Sequence, residues 1–118
     1  MNYVFLEYSK CGTCQKAKKW LDRNKIPYED RPIIEQNPSE KELKTWLALS
    51  KLPLKNFFNT SGLVYKALQL KDKLPEMSED EQIKLLASDG KLIKRPILVG
   101  KDFVLVGFKP DEWERTII

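Results

Sequence analysis

The apolar and polar positions of this 118-residue chain change period several times, and each change marks an element. Residues 3 to 8, Tyr-Val-Phe-Leu-Glu-Tyr, are short and rich in β-formers, so they read as a strand. From Thr13 to about Asn24 the period becomes helical: Cys14, Ala17, Trp20 and Leu21 share one face, while Lys16, Lys18, Lys19, Asp22 and Arg23 occupy the other. Asn24 and Pro27 punctuate the end. Ile26 to Ile34 is then a second extended segment, which Pro32 restricts to a sheet edge.

The middle of the chain, roughly 37–90, reads as a helical insert. Ser39 to Glu42 forms a capping box just after Pro38, and Leu43, Trp46, Leu47 and Ser50 mark the face of the helix it opens. Residues 52 to 62 mix apolar anchors with turn formers, and Leu63 to Leu70 is expected to return to helix. A second capping box, Ser78 to Glu81, starts a helix carrying Ile83, Leu85, Leu86 and Ala87 that stops at Asp89-Gly90. Two β-rich runs follow, Ile97 to Val99 and Val104 to Val106, joined by Gly100-Lys101-Asp102 as a hairpin, and Lys109 to Trp113 opens a last helix. The order is β, α, β, insert, β, β, α. The first two strands should pair in parallel and the last two antiparallel, a mixed four-stranded sheet flanked by helices. This α/β pattern is thioredoxin-like (glutaredoxin-like), and residues 1–118 are expected to form a single domain.

Composition narrows the class. A hydrophobic share of 42% with no repeats or low-complexity tracts points to a folded chain, and a monomer is expected. No basic stretch followed by an apolar run opens the chain, and no apolar segment approaches the ~20 residues that span a bilayer, so a cytosolic location without membrane association is expected. Two cysteines spaced two residues apart cannot frame a secreted mini-protein, and a disulfide between them would be transient in that compartment. The net charge is +4, densest at Lys10, Lys16, Lys18 and Lys19. These lysines make either a solvated helix face or an electropositive rim favouring a thiolate or an anion. No basic stripe with interleaved aromatics supports direct DNA or RNA binding.

Cys11 and Cys14 admit three readings: metal half-site, inert buried pair, or redox pair. Zinc needs four ligands, commonly Cys or His, and the chain has no histidine and no third cysteine, so no metal is expected. A helix N-terminus offers unsatisfied N–H groups and the positive end of the helix dipole, which favour a thiolate, and Cys11 sits at that entrance. Cys14 lies one turn on, placed to resolve a mixed disulfide formed at Cys11. Gly12 would let a partner's backbone approach and Thr13 would cap the helix, although both residues also serve as plain turn chemistry. Without a histidine there is no Cys-His dyad, so activation falls to the helix and nearby cations. Arg95-Pro96 precedes a strand; since only about 5 to 6% of X-Pro bonds are cis, the residues alone favour an ordinary trans turn and a surface arginine.

Cys-Gly-Thr-Cys after a first strand, Asn59-Thr60-Ser61-Gly62 ahead of Tyr65-Lys66, Leu92 to Ile97 around Arg95-Pro96, and Val106 to Glu112 together resemble the glutaredoxin-linked arsenate reductase (ArsC) and Spx family, nearly end to end. The resemblance implies a thioredoxin-like fold with a helical insert, a cis bond before Pro96, and Arg95 facing the catalytic loop beside Cys11. The arsenate-reducing branch has one loop cysteine and three oxyanion-holding arginines. Here Cys11 matches the nucleophile and Arg95 one arginine, but the other two positions fall near Asn59 and Lys109, and neither offers the planar bidentate fork, which leaves arsenate reduction weak at most. Cys14 stands where that branch usually has Ser. The Spx branch carries a Cys-x-x-Cys switch and acts by binding RNA polymerase, at the C-terminal domain of its α subunit; here Leu52-Pro53-Leu54 replaces its glycine-bearing turn, and the sequence stops before its extra C-terminal segment. The expected function is a thiol-disulfide oxidoreductase with no bound cofactor, using Cys11, Cys14 and Arg95 and an external reductant, a thioredoxin-type protein or glutathione. The alternative is a redox-sensing regulator that binds RNA polymerase.

Overall fold

The computed structural model describes residues 3–118, so the reading of the chain's first two residues lies outside it. Strand β1 (Tyr3–Glu7) is central in a four-stranded sheet of order β2-β1-β3-β4. It pairs in parallel with β2 (Tyr28–Pro32) and antiparallel with β3 (Ile97–Val99), which turns back antiparallel into β4 (Val104–Val106). The alternation along β1 divides the core. Phe5 faces helix α1 (Gly12–Arg23) and helix α6 (Pro110–Ile117), packing with Ala17, Leu21, Leu98, Leu105 and Trp113; Leu6 faces the insert, with Trp46, Phe58, Ile83 and Ile93. Two layers of helix therefore cover one sheet.

The second strand is shorter than the expected Ile26 to Ile34. Lys25 adopts a left-handed conformation (φ 57°) and Ile26 N–H bonds Leu21 O at 3.0 Å, a helix-terminating motif that delays the strand to Tyr28. At its far end the backbone turns at Ile33, and Gln36 N–H bonds Pro32 O at 2.9 Å. As expected of an edge, Pro32 closes the strand.

Both capping boxes form. They open helices α2 (Glu40–Ser50) and α5 (Glu79–Ser88), with Ser39 Oγ accepting from Glu42 N–H and Ser78 Oγ from Glu81 N–H, each at 3.1 Å. Between them the expected helix over Leu63 to Leu70 is broken into α3 (Leu63–Ala67) and α4 (Leu70–Lys73), because Gln69 turns left-handed at φ 53° and lets Leu70 reach the core.

Glu42 serves twice. Besides closing its capping box, it receives a two-pronged contact from Arg31 of β2, at 2.7 and 2.9 Å, which ties the sheet edge to the insert. This pairing, with burial opposing it, holds the Glu42 carboxyl down at about 2. The folded state therefore gains stability from the ionised carboxylate above its ordinary range near 4.5, and that gain is lost as pH falls toward about 2. Solvent screens a pair this exposed, so Glu42→Gln should cost about 0.5–1 kcal/mol at neutral pH and flatten the acid limb of a urea-melt series run between those limits. An unchanged acid limb would contradict the assignment.

Candidate functional site

Cys11 ends the loop after β1 and is the N-cap of α1, in extended backbone (φ −95°, ψ 115°). Its Sγ accepts from the backbone N–H of Cys14 at 3.3 Å, and its own N–H donates to Tyr8 O at 3.0 Å. The cap is thus a sulfur, not the Thr13 hydroxyl expected from the sequence; Thr13 lies within the first turn and lines the cavity in front of Cys11. An N–H donor at a helix N-terminus favours negative charge on the atom it faces.

The two thiols are unequal. Cys11 is half-buried, whereas Cys14 is fully buried beneath it on the core face of α1. Burial pushes the Cys14 thiol up to about 12, and its hydrogen bond to Cys11 acts in the same direction; a backbone hydrogen bond from Tyr8 and the charge on Arg95 oppose both. Cys14 is therefore a protonated thiol near neutral pH, sheltered from solvent. No cluster of three or more metal-ligating side chains exists among the described residues.

Cys11 opens into a cavity of about 580 Å³ whose wall is built by four separate segments. The first turn of α1 brings Thr13, the loop into α3 brings Asn59 and Ser61, the stretch before β3 brings Lys94 and Arg95, and the turn after β4 brings Gly107, Phe108 and Lys109. Three of the expected residues, Arg95, Asn59 and Lys109, thus share one wall with Cys11. The Arg95-Pro96 bond is cis, as the family resemblance implies and against the trans turn favoured by the residues alone. Asn59 is committed locally: its Oδ1 accepts from Ser61 Oγ at 3.3 Å and its carbonyl from Gly62 N–H at 3.1 Å. Gly12 is exposed, and no atom lies within 4 Å of a Cβ built on it, so the fold itself does not require glycine there.

Of the two readings open for the lysines near Cys11, the electropositive rim is not the one found. None of Lys10, Lys16, Lys18 and Lys19 lines the cavity; Lys18 is paired with Asp30 of β2 at 3.1 Å, Lys16 and Lys19 lie on the solvated face of α1, and Lys10 is exposed in the turn before it. The cavity's cations are Lys94, Arg95 and Lys109, with no carboxylate among them. Lys94, Ser61, Leu63, Gly107 and Phe108 are not among the site residues expected from the sequence, although four of them flank motif positions that are. Gly107 is left-handed (φ 77°), and a Cβ there would come within 3.1 Å of the Lys94 side chain, so this glycine lets Lys94 lie across the turn.

Tyr8 supports a second of these cations, Arg95. The Arg95 guanidinium sits 4.8 Å over the Tyr8 ring, donates two long bonds of 3.4 Å to Lys91 O and Ile93 O, and keeps a buried Nε with no acceptor. A double-mutant cycle of Tyr8→Leu with Arg95→Leu should return a coupling of about 0.5–1 kcal/mol, and Tyr8→Phe should retain it. Zero coupling would show that the ring is only packing.

This geometry has counterparts among known proteins. The ArsC family model matches residues 6–116. An uncharacterised protein of Bacillus subtilis, YusI, is 54% identical over 98% of this chain and 98% of its own length, and the regulatory protein MgsR of the same organism is 32% identical over 92% of this chain and 85% of its own. A crystal structure of an ArsC family related protein from Bacteroides fragilis superposes with a TM-score of 0.95 at 61% identity, covering 98% of this chain and 97% of that one. The cysteine loop, the late Arg-Pro pair and the thioredoxin-like sheet are found together here, and on these grounds the chain belongs to the ArsC family.

Proposed function

We propose that this protein is a thiol-disulfide oxidoreductase in which Cys11 attacks and Cys14 resolves. The observation that carries this reading is the asymmetry of the pair: a half-buried sulfur capped by a helix N–H and facing a cationic cavity, above a fully buried thiol one turn on. The Cys11 thiolate would attack one sulfur of a substrate disulfide, forming a mixed disulfide and expelling the other sulfur as a thiolate that takes a proton from solvent. Cys14 would then lose its proton and attack Cys11 Sγ, releasing the second substrate thiolate and leaving a Cys11-Cys14 disulfide. Two electrons pass to the substrate. A thioredoxin-type protein or glutathione would return them, and Arg95 would stabilise negative charge on the sulfurs.

The cavity argues against efficient arsenate reduction, since Asn59 and Lys109 stand where two arginine forks would be, and Asn59 is held by Ser61. The test is turnover of 2-hydroxyethyl disulfide, followed as NADPH consumption with either a thioredoxin or a glutathione recycling system, and of arsenate under the same conditions. Consumption with the disulfide and near-background rates with arsenate are expected. Silence with both reductants, or arsenate turnover at the same rate, would overturn the reading.

A second reading is a redox-controlled regulator, favoured by the likeness to the regulatory protein MgsR; the resemblance to the Spx branch would make the α subunit of RNA polymerase its partner. It requires a pull-down with polymerase that changes with the oxidation state of the pair, and no retention in either state would remove it.

A further inference from the structure

The cavity at Cys11 does not stand alone. A second cavity of about 340 Å³ shares Lys94 with it, and a third of about 390 Å³ shares Thr60 and Tyr65 with the second, so adjoining cavities form a row, a segmented groove, from the reactive sulfur across the insert to α4. Its charge is one-sided. Lys109, Arg95, Lys94, Lys55, Lys66 and Lys71 border it, against Asp72 alone, although the whole chain carries 21 Lys and Arg against 17 Asp and Glu. The first cavity is already far larger than a tetrahedral oxyanion, which takes the room of a few waters at roughly 30 Å³ each. Leu63, 85% exposed, adds an apolar contact at its lip.

We infer that the substrate of the Cys11-Cys14 pair is an acidic polypeptide, held in extended form along this groove with its oxidised cysteine at Cys11 and its carboxylates on Lys94, Lys66 and Lys71. The inference rests on the redox reading proposed above and names its substrate class. A small disulfide fills only the first cavity and leaves Lys66 and Lys71 without a role. A nucleic acid would match the charge, but it offers no sulfur to Cys11. The bordering rings are also engaged within the fold, Tyr65 packing against Phe58 and Phe108 against Trp113, so no free stacking platform remains among the described residues of the groove. The chemistry is the exchange already given: the peptide disulfide is reduced to two thiols and the Cys11-Cys14 pair is oxidised.

The test uses the full reduced protein and three synthetic peptides of one length, each carrying a central cysteine as its mixed disulfide with 2-mercaptoethanol and flanked by Glu, Gln or Lys. The Glu peptide should be reduced at least ~10-fold faster than the Gln peptide at low salt, and the Lys peptide slower than both, because a groove of one sign steers its opposite. That preference should shrink below about 3-fold near 0.5 M salt and in the exposed double variant Lys66→Glu/Lys71→Glu. Equal rates on the Glu and Gln peptides, a preference that survives the double variant, or tighter binding of a homopolymeric RNA than of the Glu peptide would each overturn the inference while leaving the redox reading intact. Failure to reduce any peptide or 2-hydroxyethyl disulfide would instead remove both.

Discussion

Cys11→Ser is expected to abolish disulfide turnover, by at least about 10³-fold, whereas Cys14→Ser should stop at the mixed disulfide and accumulate a covalent adduct of protein and substrate. The difference follows from position. Of the two cysteines only Cys11 lines the cavity, and Cys14, fully buried one turn on, is the proposed resolving thiol. Mass spectrometry of the two variants after exposure to a disulfide reads the outcome directly. An adduct on Cys14 in the Cys11→Ser protein, or equal activity of both variants, would reverse or remove the assigned roles.

Trp113→Ala should destabilise the fold by about 3–5 kcal/mol and close down the site with it. This side chain is fully buried in α6, edge-on to Phe108, Phe5 and Trp20 at centroid distances of 4.9, 6.5 and 5.9 Å. Its indole N–H donates to Gly107 O at 3.1 Å, so it fixes the turn that carries the cavity wall. Trp113→Phe separates the two contributions. It keeps most of the packing but leaves the Gly107 carbonyl unpaired, for an expected loss of about 1–3 kcal/mol in a chemical denaturation series. No loss in Trp113→Phe would mean that volume, and not the bond to the turn, is what the indole supplies.

The parts of this architecture encoded by neighbours in the chain are legible in the sequence. Ser39 with Glu42 and Ser78 with Glu81 are three apart, and both boxes close as the spacing requires. The strands of the hairpin and the parallel pair follow from alternation and order. Features that depend on distant contacts are not visible there. Gln69 and Lys25 take left-handed conformations without being glycine, because burying Leu70 and closing the end of α1 outweigh a local preference. In the site, Lys94 belongs to the cavity only because residues 57–59 run beside 92–94, with Asn59 N–H on Leu92 O and Lys94 N–H on Phe57 O, both 2.8 Å. The dense lysines near Cys11 draw attention by sequence proximity, yet the helix turns them to solvent and the cations facing the sulfur come from more than eighty positions away.

The central claim is that Cys11 and Cys14 form a working redox couple, and the direct measurement is a titration of the intact protein in thiol-disulfide buffers, with the loss of two hydrogens read by mass spectrometry. The account predicts a reversible two-electron transition with a midpoint between about −320 and −180 mV, the span of cytosolic and exchange-active couples, that disappears in either single serine variant. Two free thiols across the whole range, or oxidation that only joins separate molecules, would contradict it.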